Sequence, residues 1–254
     1  MTGNAGKALE GKVAIVTGSA RNIGRAIAHA LAGHGAAVVV HGQQDAGAAE
    51  SVRRELESAG AHATAHLADI REEAACQGLV DAAVSAFGRL DMLVCNAAIR
   101  RQKPFLETSF ADWREVLAVD LDGVFLMTRA AAPRIVEAGG GSIVCLGGTP
   151  SHMGTTGRAG VCAAKMGVVG LARVLASELG PHGINVNVVA PGHVDTARGA
   201  SAGQISAVTS ERPIARKAKP EEIAAMVAHL CLPAGRYVTG QTIHVNGGML
   251  MAGA

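Results

Sequence analysis

Apolar and polar positions along the chain follow two periods. The runs Val13–Val16, 37–40, Met92–Cys95, 142–146 and 184–189 are short and rich in Val and Ile, the pattern of strands covered on both faces. Longer stretches with a helical period lie between them. Ile23, Ile27 and Leu31 recur every four residues; 45–59, 71–87, 112–137 and 160–179 are amphipathic; Ile223, Met226, Val227 and Leu230 share one helix face. Residues 62–67 read as a further strand and Thr242–Val245 as the last. Repeated strand–helix alternation predicts an α/β fold with a doubly wound parallel sheet between two helical layers. No Pro/Gly/Ser linker divides the chain, so 1–254 reads as a single domain. The segment 193–217 lacks a period and is rich in Ala, Ser and Gly, which predicts a lid.

Composition narrows the function. The chain has 254 residues, and its aromatic residues are Trp113, Tyr237 and four Phe, so Val, Ile, Leu, Ala and Met must fill the core. A net charge of +2 with no basic tail argues against nucleic acid as a partner. No apolar run reaches the roughly 18 residues of a membrane span, and the polar start of the chain is not a secretory signal. Five cysteines without a CxxC spacing predict reduced thiols, a cytoplasmic protein and no metal site.

The segment Thr17-Gly18-Ser19-Ala20-Arg21-Asn22-Ile23-Gly24 follows the first strand and opens the first helix. Glycines there admit a pyrophosphate to the backbone, and the helix start offers free N–H groups. Together with Cys95-Asn96-Ala97-Ala98-Ile99, a helix carrying Lys165, Val189-Ala190-Pro191-Gly192 and the ending 239–248, this series resembles the short-chain dehydrogenase/reductase family, in its 3-oxoacyl-carrier-protein-reductase type. The resemblance implies a Rossmann-like fold, a nicotinamide dinucleotide, a small-molecule substrate and a homotetramer or homodimer. By the same resemblance Gly18, Ser19, Arg21, Asn22, Ile23, Gly24, Asp69, Asn96, Ala97, Lys165, Pro191, Gly192, Val194 and Thr196 bind the cofactor. Asn22 replaces the family's middle glycine and Ala98 its Asn-Ala-Gly glycine. Asn is the non-glycine residue that best tolerates a left-handed backbone. Gly42 stands where NAD-type members carry a carboxylate, and Arg21 where NADP-type members often carry a base. NADP(H) is therefore favoured over NAD(H).

The resemblance also implies a Tyr, Lys, Ser and Asn at the reacting end. Of these only Lys165 is present. Val161 stands for the Tyr, Gly148 for the Ser and Asp120 for the Asn. Val161 can neither donate nor accept a proton. General acid–base assistance is worth about 10²–10⁴-fold, so another group must serve if redox turnover survives. His152, four residues beyond Gly148, is the candidate acid or base; its competing reading is an exposed loop histidine. Thr149 and Ser151 are candidate displaced hydroxyls, or turn residues around Pro150. Cys162 reads as structural, and His193 faces either the pocket or the lid. Lys165 reads as a ribose contact or a proton donor, and Asp120 as a carboxylate held ionised by Lys165. Arg100, Arg101, Lys103, Arg158 and Arg198 flank the predicted pocket and favour an anionic substrate. An atypical oxidoreductase, a non-redox lyase or isomerase, and a non-catalytic dinucleotide binder all remain open at this point.

Overall fold

The computed structural model describes residues 7–197 and 213–251. Seven strands form one parallel sheet: β1 (Val13–Val16), β2 (Ala37–Gly42), β3 (Ala63–Leu67), β4 (Met92–Cys95), β5 (Gly141–Leu146), β6 (Ile184–Pro191) and β7 (Thr242–Val245). Eight helices lie between them: α1 (Asn22–Gly33), α2 (Ala46–Ser58), α3 (Glu73–Phe87), α4 (Phe110–Leu117), α5 (Gly123–Glu137), α6 (Thr149–Met153), α7 (Ala159–Leu179) and α8 (Pro220–Cys231). The strand order is β3-β2-β1-β4-β5-β6-β7. The chain therefore winds outward from β1 to β3, returns beside β1 at β4, and winds out the other way. Val16 pairs with Val40 on one side and with Val94 on the other. The crevice beyond the C-terminal ends of β1 and β4 is the switch point at which such sheets bind ligands.

Strand pleating divides the core. Ala14 and Val16 join Ile27, Leu31, Leu56 and Val227 in the layer of α1, α2 and α8. Val13 and Ile15 join Leu79, Met127, Ile135 and Val168 in the layer of α3, α5 and α7. Adjacent residues on a strand point to opposite faces, so continuously apolar strands feed both cores. This is the predicted three-layer α/β/α single domain. Ala159–His182, α7 with its 3₁₀ extension, is long and apolar enough to cross a membrane. It passes that test as a core helix, with Ala164, Val168, Val169, Ala172 and Ala176 buried.

Two departures from the sequence pattern bear on the site. The helix predicted over 112–137 is interrupted by a π-helical turn, Ala118–Asp122. That turn rotates Asp120 fully inside, with no exposed surface. Such turns cluster at functional sites, and a one-residue slip of this kind leaves the apolar period nearly unchanged. The short helix α6 was not anticipated. The ends of the predicted lid are tied together where Asp195 donates to the Ala218 carbonyl and Ala218 to that of His193, both at 2.8 Å. Its middle, 198–212, and with it Arg198, lies outside the described residues.

Candidate active site

A groove of about 690 Å³ runs over the C-terminal ends of β1, β2 and β4. Gly18, Arg21, Asn22, Ile23, Gly24, Asp69, Asn96 and Ala97 line it, as the sequence predicts. The turn that shapes it is close-packed. Gly18 has φ +64°, and a Cβ there would lie 2.9 Å from the Ala97 backbone; a Cβ on Gly24 would lie 2.3 Å from the Gly18 carbonyl oxygen. Asn22, with φ +51°, is the one non-glycine residue at positive φ among the described residues. Its side chain accepts from the Ala197 N–H and donates to the Ala197 carbonyl, both at 3.1 Å. Asn22 thus keeps the turn that a glycine would permit and also ties it to Ala197. Asn96 braces the turn from β4, donating through Nδ2 to the carbonyls of Thr17 (2.9 Å) and Gly18 (3.1 Å).

Two predicted contacts behave differently. Ser19 is fully buried and does not face the groove. Its hydroxyl donates to the Val16 carbonyl at 2.7 Å and accepts the His41 N–H at 2.9 Å. It is a brace of the turn. Thr196 lines neither cavity, and its hydroxyl is buried without a partner. His41, which the sequence reading passed over, lines the groove. Its Nδ1 accepts the Gly18 N–H at 2.9 Å, and its Nε2 lies 3.0 Å from the Ala68 carbonyl, which fixes Nε2 as the protonated nitrogen. Burial is the largest cause holding its pKa below the ordinary value. The signal was a lone polar side chain at the end of an apolar strand, since burial obliges it to find partners.

Arg21 lines the groove and makes no ion pair among the described residues. Asp69 is held by Arg71 and by Gln43, whose Nε2 donates at 3.0 Å. The hydrogen bonds from Arg71 come first among the causes that keep its carboxyl well below the usual range.

The groove opens at Ile23, Asn96, Ala98 and Arg100 into a second cleft of about 340 Å³. Gly148, Val161, Lys165, Pro191, Gly192 and Val194 line this cleft. The Lys165 amine is 3.8 Å from Asp120 Oδ2. Oδ1 of Asp120 accepts the Ile99 N–H at 2.8 Å, whereas Oδ2 is buried without a hydrogen bond. Burial pushes the Asp120 pKa up, against the pull of Lys165, the Ile99 N–H and Arg100. Lys165 and burial thus act on Asp120 in opposite directions, with burial the larger.

The other candidates separate. His152 does not line the cleft. It stands on α6 edge-on to His244, ring centroids 4.7 Å apart, with its pKa lowered by burial first and then by His244 and Arg173. Thr149 is fully buried and donates to the Ala190 carbonyl at 2.9 Å. Ser151, Cys162 and His193 do line the cleft. Cys162 and Lys165 are three residues apart, nearly one helical turn, so they share a face. The cations divide as well. Arg101 pairs with Glu115, and Lys103 with Asp112 at 2.8 Å. Arg100 and Arg158 line the cleft.

Comparison with known proteins decides the family. A family model described as enoyl-(acyl carrier protein) reductase matches residues 18–250. The chain is 38% identical over 245 residues to a 3-oxoacyl-[acyl-carrier-protein] reductase of Synechocystis, covering 96% of this chain and 99% of that one. The chain belongs to the short-chain dehydrogenase/reductase family. Another relative, at 39% identity and covering 96% of this chain and 98% of its own, is the cis-4-hydroxycyclohexanecarboxylate dehydrogenase of Sinomonas cyclohexanicum. Among solved structures, a short-chain dehydrogenase from Burkholderia cenocepacia in complex with NADP superposes with a TM-score of 0.87 at 36% identity, covering 95% of this chain and 98% of that one. As a short-chain dehydrogenase/reductase the protein falls in the oxidoreductase class. Its cleft has a β-branched apolar side chain at Val161 and no side chain at Gly148.

Proposed function

We propose that the protein is an NADP(H)-linked oxidoreductase of small carbonyl or alcohol compounds in which Lys165 is the proton-carrying group. The observation that carries this reading is the junction of groove and cleft, where the Lys165 amine stands with no phenol beside it and Asp120 behind it. Gly18, Asn22 and Gly24 fit the close approach of a pyrophosphate. Arg21 lines the groove with no ion pair among the described residues and suits a 2′-phosphate. When bound, the nicotinamide supplies or accepts the hydride.

Residues of the chain do the rest. Leu146, Val161, Val194 and Met249 give the cleft an apolar side beside Lys165, which strengthens charge interactions there. An oxygen that gains negative charge in the cleft is stabilised by the Lys165 ammonium and takes its proton. Asp120, 3.8 Å behind, touches no substrate and acts by positioning the Lys165 amine.

Lys165→Met tests this directly. The expected result is a loss of NADPH-dependent turnover of about 10²-fold or more, with dinucleotide binding, read by fluorescence, retained within a few-fold. Turnover unchanged in that variant removes Lys165 from the chemistry. His152→Ala is expected to leave turnover near wild type. The empty Tyr and Ser positions favour a second reading, non-redox lyase or isomerase chemistry in the same cleft; it expects product without any change in nicotinamide absorbance. A non-catalytic dinucleotide binder expects binding and no product.

The proposal extends to assembly and location. Phe125 on α5 and Met166 and Val174 on α7 are apolar and exposed, which supports a homotetramer or homodimer through these helices. Five free cysteines, four of them buried, are in keeping with the cytoplasm. Light scattering on the purified chain checks the assembly: a monomer at micromolar concentration excludes it.

A further inference from the structure

His41 stands next to last in β2, and two walls of the groove rest on it. The residue is almost fully buried yet borders the groove. On one side Nδ1 accepts the Gly18 N–H at 2.9 Å. The backbone of His41 is tied to the same turn: its N–H donates to the Ser19 hydroxyl at 2.9 Å, and its carbonyl accepts the Ser19 N–H at 3.0 Å. On the other side Nε2–H donates to the Ala68 carbonyl at 3.0 Å, and Ala68 and Asp69 form the groove wall beyond β3.

The turn has little room to move. The Gly18 carbonyl accepts from Asn96 Nδ2 at 3.1 Å, and a Cβ on Gly18 would lie 2.9 Å from the Ala97 Cα. Gly18 is therefore clamped between Asn96 and His41, and the His41 clamp needs a bare lone pair on Nδ1. A neutral imidazole with its proton on Nε2 has that lone pair; an imidazolium carries N–H on both nitrogens. Protonation sets two donors against each other across 2.9 Å, and a buried donor left without an acceptor is costly.

The surroundings favour the neutral ring. Burial is the largest influence and lowers the pKa, against the Ala68 carbonyl. His66, the register partner on β3, lowers it further; Asp69, itself engaged by Arg71, raises it. Among the described residues no titratable group of β1, its turn, α1, α2 or α3 adds to these, nor do Arg21, Asp45 and Arg100 on the groove.

We propose that His41 is the positioning residue of the dinucleotide turn, and that the groove takes its dinucleotide only while the imidazole is neutral. The inference goes beyond the oxidoreductase reading and rests on it for the occupant of the groove. Affinity is full above the ordinary histidine value near 6.5 and is lost as pH falls through the lower native value. A ring that merely attracted the phosphates would act in the opposite direction, strengthening binding as it gained charge.

The test titrates NAD⁺ calorimetrically into the full chain and into His41→Asn at pH 8.0 and 5.0. NAD⁺ is the probe because it has no phosphate monoester to titrate near pH 6, whereas NADP⁺ has one. Asn offers the Gly18 N–H an acceptor and does not ionise. The wild-type chain is expected to lose about fivefold or more of its affinity at pH 5.0, and His41→Asn no more than about twofold. Where His41→Asn does not fold, the imidazole of the wild-type chain is titrated by NMR: saturating NAD⁺ is expected to move its titration to lower pH, since linkage is reciprocal. A wild-type affinity that is flat or rises toward acid pH, an equal fall in His41→Asn, or an imidazole titration that NAD⁺ does not move overturns the proposal. No binding of NAD⁺ or NADP⁺ at pH 8.0 sinks the dinucleotide reading and this inference with it; binding that is the same at both pH values sinks this inference alone.

Discussion

A carboxyl group with one oxygen hydrogen-bonded, the other facing only a cation at 3.8 Å, and no surface in contact with water is costly to ionise. Asp120 is in this position, and its pKa is raised, chiefly by burial. The native state therefore holds the proton more tightly than the unfolded chain. Stability falls as pH rises from the ordinary carboxyl range through the raised native value. Asp120→Asn keeps the acceptor for the Ile99 N–H and removes the charge. It is expected to raise the thermal midpoint at pH 7.5, with the gain shrinking toward pH 4; a midpoint lowered at both pH values contradicts the account. His41 has the opposite sign. Its pKa is lowered by burial, so its contribution is present above the ordinary histidine value near 6.5 and lost as pH falls through that value toward the lower native one. His41→Gln should flatten the fall in thermal midpoint between pH 7.5 and 5.5. At this scale the sequence was legible where a residue's role is its chemistry: Lys165, Val161 and Gly148 meet in one cleft as their motif positions imply. It was not legible where direction decides. His152, Thr149 and Ser19 have the right chemistry and line neither cavity: Ser19 and Thr149 are turned to backbone partners and His152 to the His244 ring, and no sequence spacing encodes these contacts.

Among the elements, the strand–loop–helix unit at the switch point and the interrupted helix before β5 do the positioning. The predicted strands and most helices stand where the two apolar periods put them, since burial on both faces of a parallel sheet leaves a continuous signature. The π-helical turn Ala118–Asp122 left none, because one added residue per turn shifts the apolar face too little to read. The link from Asn22 to Ala197 joins the turn to the lid across the groove mouth. Asn22→Gly keeps the backbone conformation and deletes the link. It should speed dinucleotide release several-fold in stopped-flow displacement while the thermal midpoint without ligand changes by no more than a few degrees. An unchanged release rate shows that the link does not hold the lid. A side chain added at Gly148 meets nothing closer than 3.9 Å, so the serine position is open. Gly148→Ser with Val161→Tyr is expected to raise reductase turnover toward that of the family's ordinary members; no gain would mean that the cleft itself has been reshaped.

For the whole molecule, the groove keeps its turn, its bracing asparagine and its switch-point placement, while the adjoining cleft presents Val161, Gly148 and Lys165. Fold and groove were legible because they rest on backbone geometry that only a few residue types permit. The substrate end was less so, because which of five flanking cations face inward depends on where α4 puts its acids. The account stands first on the groove accepting its cofactor. The direct measurement is the thermal midpoint of the wild-type chain with and without NADPH. At about 100 times its dissociation constant a ligand of the native state adds about 2.7 kcal/mol, which for a domain of this size corresponds to a rise of roughly 5–10 °C. That rise, larger for NADPH than for NADH at equal concentration, is the predicted result; a midpoint that does not move at millimolar NADPH contradicts it.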